Sequence, residues 1–123
     1  MSHLAYSPRA YREGAVLSAP PEKLVVMLYD GARRFLHQAA AAMREGQIET
    51  AHHKLRRAED IIVHLRDSLD LEQGEIAERL QAIYYFCSRH LREARFQRDP
   101  VRIEQVSRLL GSLREAWAAI ENR

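Results

Sequence analysis

Cysteine is nearly missing from this chain: Cys87 is the only one in 123 residues, so no internal disulfide can brace the fold. Glycine is sparse too, and the five present are scattered at the ends of apolar patterns or within them, never clustered into a loop that cradles phosphate. No window approaches the roughly 18 uninterrupted apolar residues of a membrane span. No apolar N-terminal stretch resembles a signal peptide, which predicts a cytosolic protein without membrane insertion. Excess charge of one sign is also lacking. Nineteen basic residues against seventeen acidic ones leave a formal charge of +2, too little to demand a nucleic acid or an anionic membrane as partner. Alternating β patterns do not occur. What the chain does have is 46% hydrophobic residues, enough for one compact domain that buries roughly two thirds of its unfolded surface.

Those hydrophobic residues recur with helical spacing. Ser18 offers a capping hydroxyl, Pro20 and Pro21 suit only a first helical turn, and Glu22 suits the positive end of a helix dipole. A helix over about 20–44 follows, with two apolar stripes. Leu24, Leu28, Phe35, Ala39 and Ala42 form one; Val25, Tyr29, Ala32, Leu36, Ala40 and Met43 form the other. Such a helix must be covered on two sides. Gly46 is placed to end it in a left-handed cap. A second helix over about 47–69 carries a heptad-like seam from Ile48 through Ala51, Leu55, Ala58, Ile62 and Leu65 to Leu69. Asp70 to Gly74 breaks that register. A third helix, about 74–97, turns Ile76, Leu80, Ile83, Cys87, Leu91 and Ala94 inward. Asp99-Pro100 opens a fourth, about 100–121, with Ile103, Val106, Leu110, Leu113, Trp117 and Ile120 on one face. Four helices of similar length, joined by two to six residues, specify an all-α, antiparallel up-down four-helix bundle over residues 18–123. Residues 1–17, with Tyr6, Tyr11, Pro8 and Gly14, suit no long helix and read as a partly ordered N-terminal arm.

Bundles often hold metals, but a di-metal carboxylate site needs a pair of Glu-x-x-His motifs. Only Glu49 to His52 has that form, in a first turn. Asp60 and His64 share a helix face as an ordinary surface pair. The histidines make no His-x-x-x-His pair and have no companion cysteines. Cys87 sits on an inward stripe, where a thiol is a small inert hydrophobe. No catalytic residue, cofactor site or metal site emerges, and the chain reads as a non-enzyme. The densest basic group, Arg89, Arg92, Arg95, Arg98 and Arg102, is interleaved with Glu93 and Asp99 and has only Phe96 for stacking, the pattern of a solvated face. A small metal-binding bundle or an RNA binder working through those arginines stands as the alternative function.

The apolar surface beyond one stripe per helix points to a partner. Tyr84-Tyr85-Phe86 cannot all face one way at about 100° per residue, so at least one ring reaches the surface. A groove for an amphipathic segment of another protein would use such rings.

The residues that resist a purely structural reading resemble the flagellin export chaperones of FliS type. The likeness rests on Ser18-Ala-Pro-Pro-Glu-Lys-Leu24, Met27-Leu-Tyr-Asp-Gly-Ala32 and Phe35-Leu36, then Arg57-Ala-Glu-Asp-Ile-Ile62 with Leu65 and Ser68-Leu-Asp70. Leu80, Ile83-Tyr84, Arg89, Leu91, Ala94, Leu109-Leu110 and Leu113-Arg-Glu-Ala-Trp117 extend it over nearly the whole chain. The doubled proline and Tyr85, Phe86 and Cys87 depart from the family pattern. The resemblance implies a cytosolic chaperone that binds the disordered C-terminal region of flagellin, blocks premature polymerisation and presents its cargo to the membrane export gate. It also implies that the arm, with Tyr6 and Tyr11, covers part of the groove in the free protein. Tyr29, Leu65, Leu69, Ile76, Leu80 and Tyr84 combine the match with a place on or beside an apolar stripe and are the expected groove residues. Which flagellin is bound, and whether the free protein is a monomer or a homodimer, stay open at this level.

Overall fold

Pro21 loses nothing by opening a helix, because the amide it lacks would have had no partner there. In the computed structural model, which describes residues 21–121, it begins α1, Pro21–Arg44. Helices α2, Ile48–Asp67, α3, Glu75–Gln97, and α4, Pro100–Glu121, follow, with a 3₁₀ turn at Leu71–Gln73 between α2 and α3. The described residues form no strand. The arm, with Tyr6 and Tyr11, the Ser18 start signal and the side chain of Ile120 lie outside what the structure describes.

Local chemistry sets the helix ends. Gly46 takes φ 77°, and the bonds from Gly46 N to Met43 O and from Gln47 N to Ala42 O close the end of α1 as expected of a left-handed cap. Asp99 accepts from the amide of Val101 at 3.1 Å, with Pro100 as the first helical residue of α4. α3 ends without glycine: Arg98 itself adopts φ 53°, and Asp99 N reaches Ala94 O at 3.0 Å.

Cross-helix pairs run in opposite order along neighbouring helices. From the start of α1 towards its end, Asp30 meets Arg114 at 2.9 Å, His37 meets Ser107 at 3.0 Å and Arg44 meets Glu104. Arg66 lies 4.7 Å from the Tyr85 ring, whereas Glu59, earlier in α2, takes Arg95, later in α3. The helices are therefore antiparallel, α1 packing on α2 and α4, and α3 closing the far side between the same two. Covering α1 from two sides buries its second stripe from Tyr29 to Met43 together with Ala39 and Ala42 of the first. Leu55 and Ile62 from α2, Cys87 and Leu91 from α3, and Ile103, Val106 and Leu110 from α4 complete the core.

Three details differ from the sequence reading. α2 ends at Asp67, not 69, because the Ser68 hydroxyl donates to Leu65 O at 2.9 Å and the chain leaves the helix there, so Leu69 belongs to the connection. That connection spans 68–74, longer than expected, and is organised by Asp70, whose side chain accepts from Glu72 N at 3.0 Å. Ile76 does not point inward. It is 73% exposed, and Ala77 takes the buried place, one heptad before buried Tyr84 and two before Leu91. Of Tyr84-Tyr85-Phe86, Tyr84 is buried and the other two rings are exposed.

Candidate functional site

Antiparallel topology brings the start of α1, the end of α2, the start of α3 and the end of α4 to one end of the bundle. Between these four ends lies an apolar groove of about 360 Å³. Leu65, Ala77 and Tyr84, all buried, make its floor; Leu69, Leu80, Val25 and Trp117 form the walls. Ile76 forms the lip, with Asp70 and Gln73 as polar edges.

Beneath the floor, the Tyr29 and Tyr84 hydroxyls lie 2.5 Å apart. This bond joins α1 to α3 across the diagonal of the bundle, and it satisfies two polar atoms that water cannot reach. Burial raises the pKa of Tyr29, while the hydroxyl and indole contacts from Tyr84 and Trp117 act the other way. Burial likewise raises Tyr84, and its bond to Tyr29 adds to the shift. Both remain neutral phenols near neutral pH, so the groove floor is uncharged. Burial alone pushes the Cys87 thiol up to about 12, leaving it protonated and unreactive.

A second groove, of about 420 Å³, runs along the α1–α2 face. Leu24, Leu28 and Phe35 of the first α1 stripe line it with Met27 and Ile61. Arg57 lies 4.9 Å from the Phe35 ring centre and Lys54 lies 5.7 Å away, so the ring is covered by cationic side chains.

Leu65, Leu69, Ile76, Leu80 and Tyr84 thus meet around the first groove, and Tyr29 lies under it, fully buried. A partner touching Tyr84 meets a floor atom; one touching Tyr29 has no access at all. Val25, Ala77 and Trp117 were not expected there. Antiparallel order was the available signal for two of them, since it places the beginning of α1 and the end of α4 beside the end of α2.

Chemistry has little foothold. Among the described residues no group of three or more His, Cys, Asp or Glu side chains could hold a metal ion. His52 and Glu49 share the first turn of α2, remote from the groove. No described helix is long and apolar enough to cross a membrane. An apolar trough with a few polar edges, Asp70 among them, is suited to holding an apolar segment of another chain.

Residues 3–123 match the family model described as flagellar protein FliS. The chain belongs to the FliS family. Similar curated proteins include the flagellar secretion chaperone FliS of Salmonella typhimurium, 38% identical over 88% of this chain and 82% of the relative. The Vibrio cholerae protein of the same name is 35% identical over 93% and 88%, and that of Campylobacter jejuni 32% over 98% and 94%. The FliS resemblance carried by the Ser18 to Leu36 and Arg57 to Asp70 segments is borne out by these matches. The family is one of flagellar secretion chaperones by the names of these relatives.

Proposed function

We propose that this FliS-family protein is a cytosolic chaperone whose end groove holds the disordered C-terminal segment of flagellin, keeps it from polymerising and keeps it competent for flagellar type III export. The observation that carries this reading is the groove itself. It is apolar, it is open at the Ile76 lip, and five residues picked out by family resemblance and stripe position surround it. Relatives named flagellar secretion chaperone support the cargo class. The second groove, on the α1–α2 face, offers further apolar surface through Leu24, Met27, Leu28 and Phe35, which suits a long segment that folds as it binds. Such a segment buries a large area while its ordering costs about 2–5 kcal/mol or more, so holding stays reversible.

Presentation of the loaded chaperone to the membrane export gate follows from the family reading, as does coverage of the empty groove by the arm through Tyr6 and Tyr11. A tethered arm competes at high effective concentration without strong intrinsic affinity.

Trp117 provides the test. It is the chain's single tryptophan and lines the groove, so a tryptophan-free peptide of the flagellin C-terminus should shift its emission to the blue in a saturable, one-to-one manner. Emission unchanged at saturating peptide would place the cargo elsewhere and overturn the groove assignment.

A further inference from the structure

The second groove differs from the first in the charge around it. Arg34 and Arg57 line it, and Lys54 stands near Arg57 over the Phe35 ring. None of these three cations has an ion-pair partner among the described residues. Asp60 is the one acidic side chain in the lining, with His64 one turn further along α2. At the first groove the balance is reversed, since Asp70 is its only charged lining group among the described residues. Between the cations, Met27 is 45% exposed, and Leu24, Leu28, Phe35 and Ile61 are only partly buried. The second groove is therefore apolar along its bed and basic along its rim.

We infer that the second groove takes an acidic stretch of the bound segment, with apolar residues against Leu24, Leu28 and Phe35 and aspartates or glutamates beside Arg34, Arg57 and Lys54. An apolar side chain pressed onto Phe35 strips water from the Arg57 guanidinium and the Lys54 ammonium over the ring. That desolvation is costly unless a carboxylate meets the charge, and a carboxylate is what an acidic stretch brings. Asp70 repels the same stretch from the first groove, so charge decides which part of the segment lies where. Helix α2 lines both grooves, with Arg57, Ile61 and His64 in the second and Leu65 and Leu69 in the first, so one segment can cross between them. The chain's own arm does not suit a basic rim, because residues 1–17 carry two arginines and one glutamate. A nucleic acid would pair with the cations but leave Leu24, Met27, Leu28 and Ile61 unmatched. That the acidic stretch belongs to the cargo rests on the function proposed above; the acidic preference of the surface does not.

Two short amphipathic peptides without tryptophan test this, sharing one set of apolar residues, one with glutamates on its polar face and the other with lysines. In calorimetry on the full-length protein, the glutamate peptide is expected to bind at least about tenfold more tightly than the lysine peptide, from several surface pairs worth up to about fivefold each, and to lose that lead as salt is raised. Its binding should leave Trp117 emission unchanged, because that indole lines the other groove. The double variant Arg34→Glu, Arg57→Glu should reverse the preference. Arg57→Gln, which keeps an aliphatic stem over Phe35, should narrow it, and both variants should keep their helix content. Equal affinity for the two peptides, no binding of the glutamate peptide, a shift of Trp117 emission by it, or a preference that survives the double variant would overturn the inference. A flagellin peptide that fails to bind a protein still preferring the glutamate peptide would instead remove the cargo reading and leave the acidic preference standing.

Discussion

Tyr29 and Tyr84 share one hydrogen bond, 2.5 Å between hydroxyl oxygens, that links the two helices not otherwise in close contact and lies directly under the groove. Removing the Tyr29 hydroxyl leaves that of Tyr84 buried without this partner, a cost of about 1–3 kcal/mol, whereas removing the Tyr84 hydroxyl leaves Tyr29 its contact with the Trp117 indole, and removing both ends the mutual dependence. Tyr29→Phe is expected to destabilise the fold by that order, Tyr84→Phe by less, and the double variant by clearly less than their sum. Urea unfolding of the four proteins checks this. Strict additivity would show that the hydroxyls do not depend on each other.

Alkaline pH should loosen the same core. Burial holds the Cys87 thiol up at about 12, against 9.0 for an unperturbed thiol, and raises both tyrosines. Since the folded-state pKa values lie above the unfolded ones, the stability they represent is complete below about pH 9 and is lost as the pH climbs towards 12. The urea midpoint should therefore hold steady from about pH 7 to 8.5 and fall above it, and Cys87→Ala should flatten the early part of that fall. A midpoint that did not move up to about pH 11 would contradict the burial account.

Arg98 ends α3 in the left-handed region at φ 53°, where a side chain costs about 1–2 kcal/mol and glycine costs nothing sterically. Glycine also gains freedom in the unfolded chain, which removes part of the benefit. Arg98→Gly should raise stability by about 0.5 kcal/mol, read as a higher melting temperature; a loss of stability would mean that the arginine makes contacts worth more than its strain.

Much of this architecture is written in apolar spacing. The seam from Ala51 to Leu65 and the paired stripes of α1 need only periodicity, because burial of one helical face is set by which residues lie about 100° apart. Gly46 and Asp99-Pro100 mark their ends by backbone chemistry that no neighbour alters. Ile76 was misread because the buried stripe of α3 runs through Ala77, Tyr84 and Leu91, one heptad apart, and Ile76 sits about 100° off that line in the first turn, a place that its spacing to Leu80 alone does not reveal. Site residues were legible to a similar extent. Leu65, Leu69, Leu80 and Tyr84 could be placed near a groove from stripe and resemblance together, but Tyr29 lies below the floor and Trp117 on the wall, and only the three-dimensional meeting of four helix ends separates them. Asp30, half-buried on α1, pairs with Arg114 on the neighbouring α4, a contact that no local pattern announces.

If the groove holds cargo through apolar contact, its lip is the most accessible place to break it. Ile76 is exposed, so Ile76→Asp should leave the fold intact while setting an unpaired carboxylate against the bound segment. Leu80→Asp should act similarly with some loss of stability, as Leu80 is partly buried. Removing residues 1–17 should act in the other direction and tighten binding, if the arm covers the groove as proposed.

The most direct test is calorimetric titration of the full chain, and of its Ile76→Asp variant, with a peptide covering about the last 50 residues of the host's flagellin, long enough to fold across both grooves. The account predicts one-to-one, submicromolar binding to the wild-type protein, and at least about tenfold weaker binding to the variant, with matching melting temperatures for the two proteins. An absence of binding in calorimetry and in an independent assay, or equal affinity for both proteins, would contradict it.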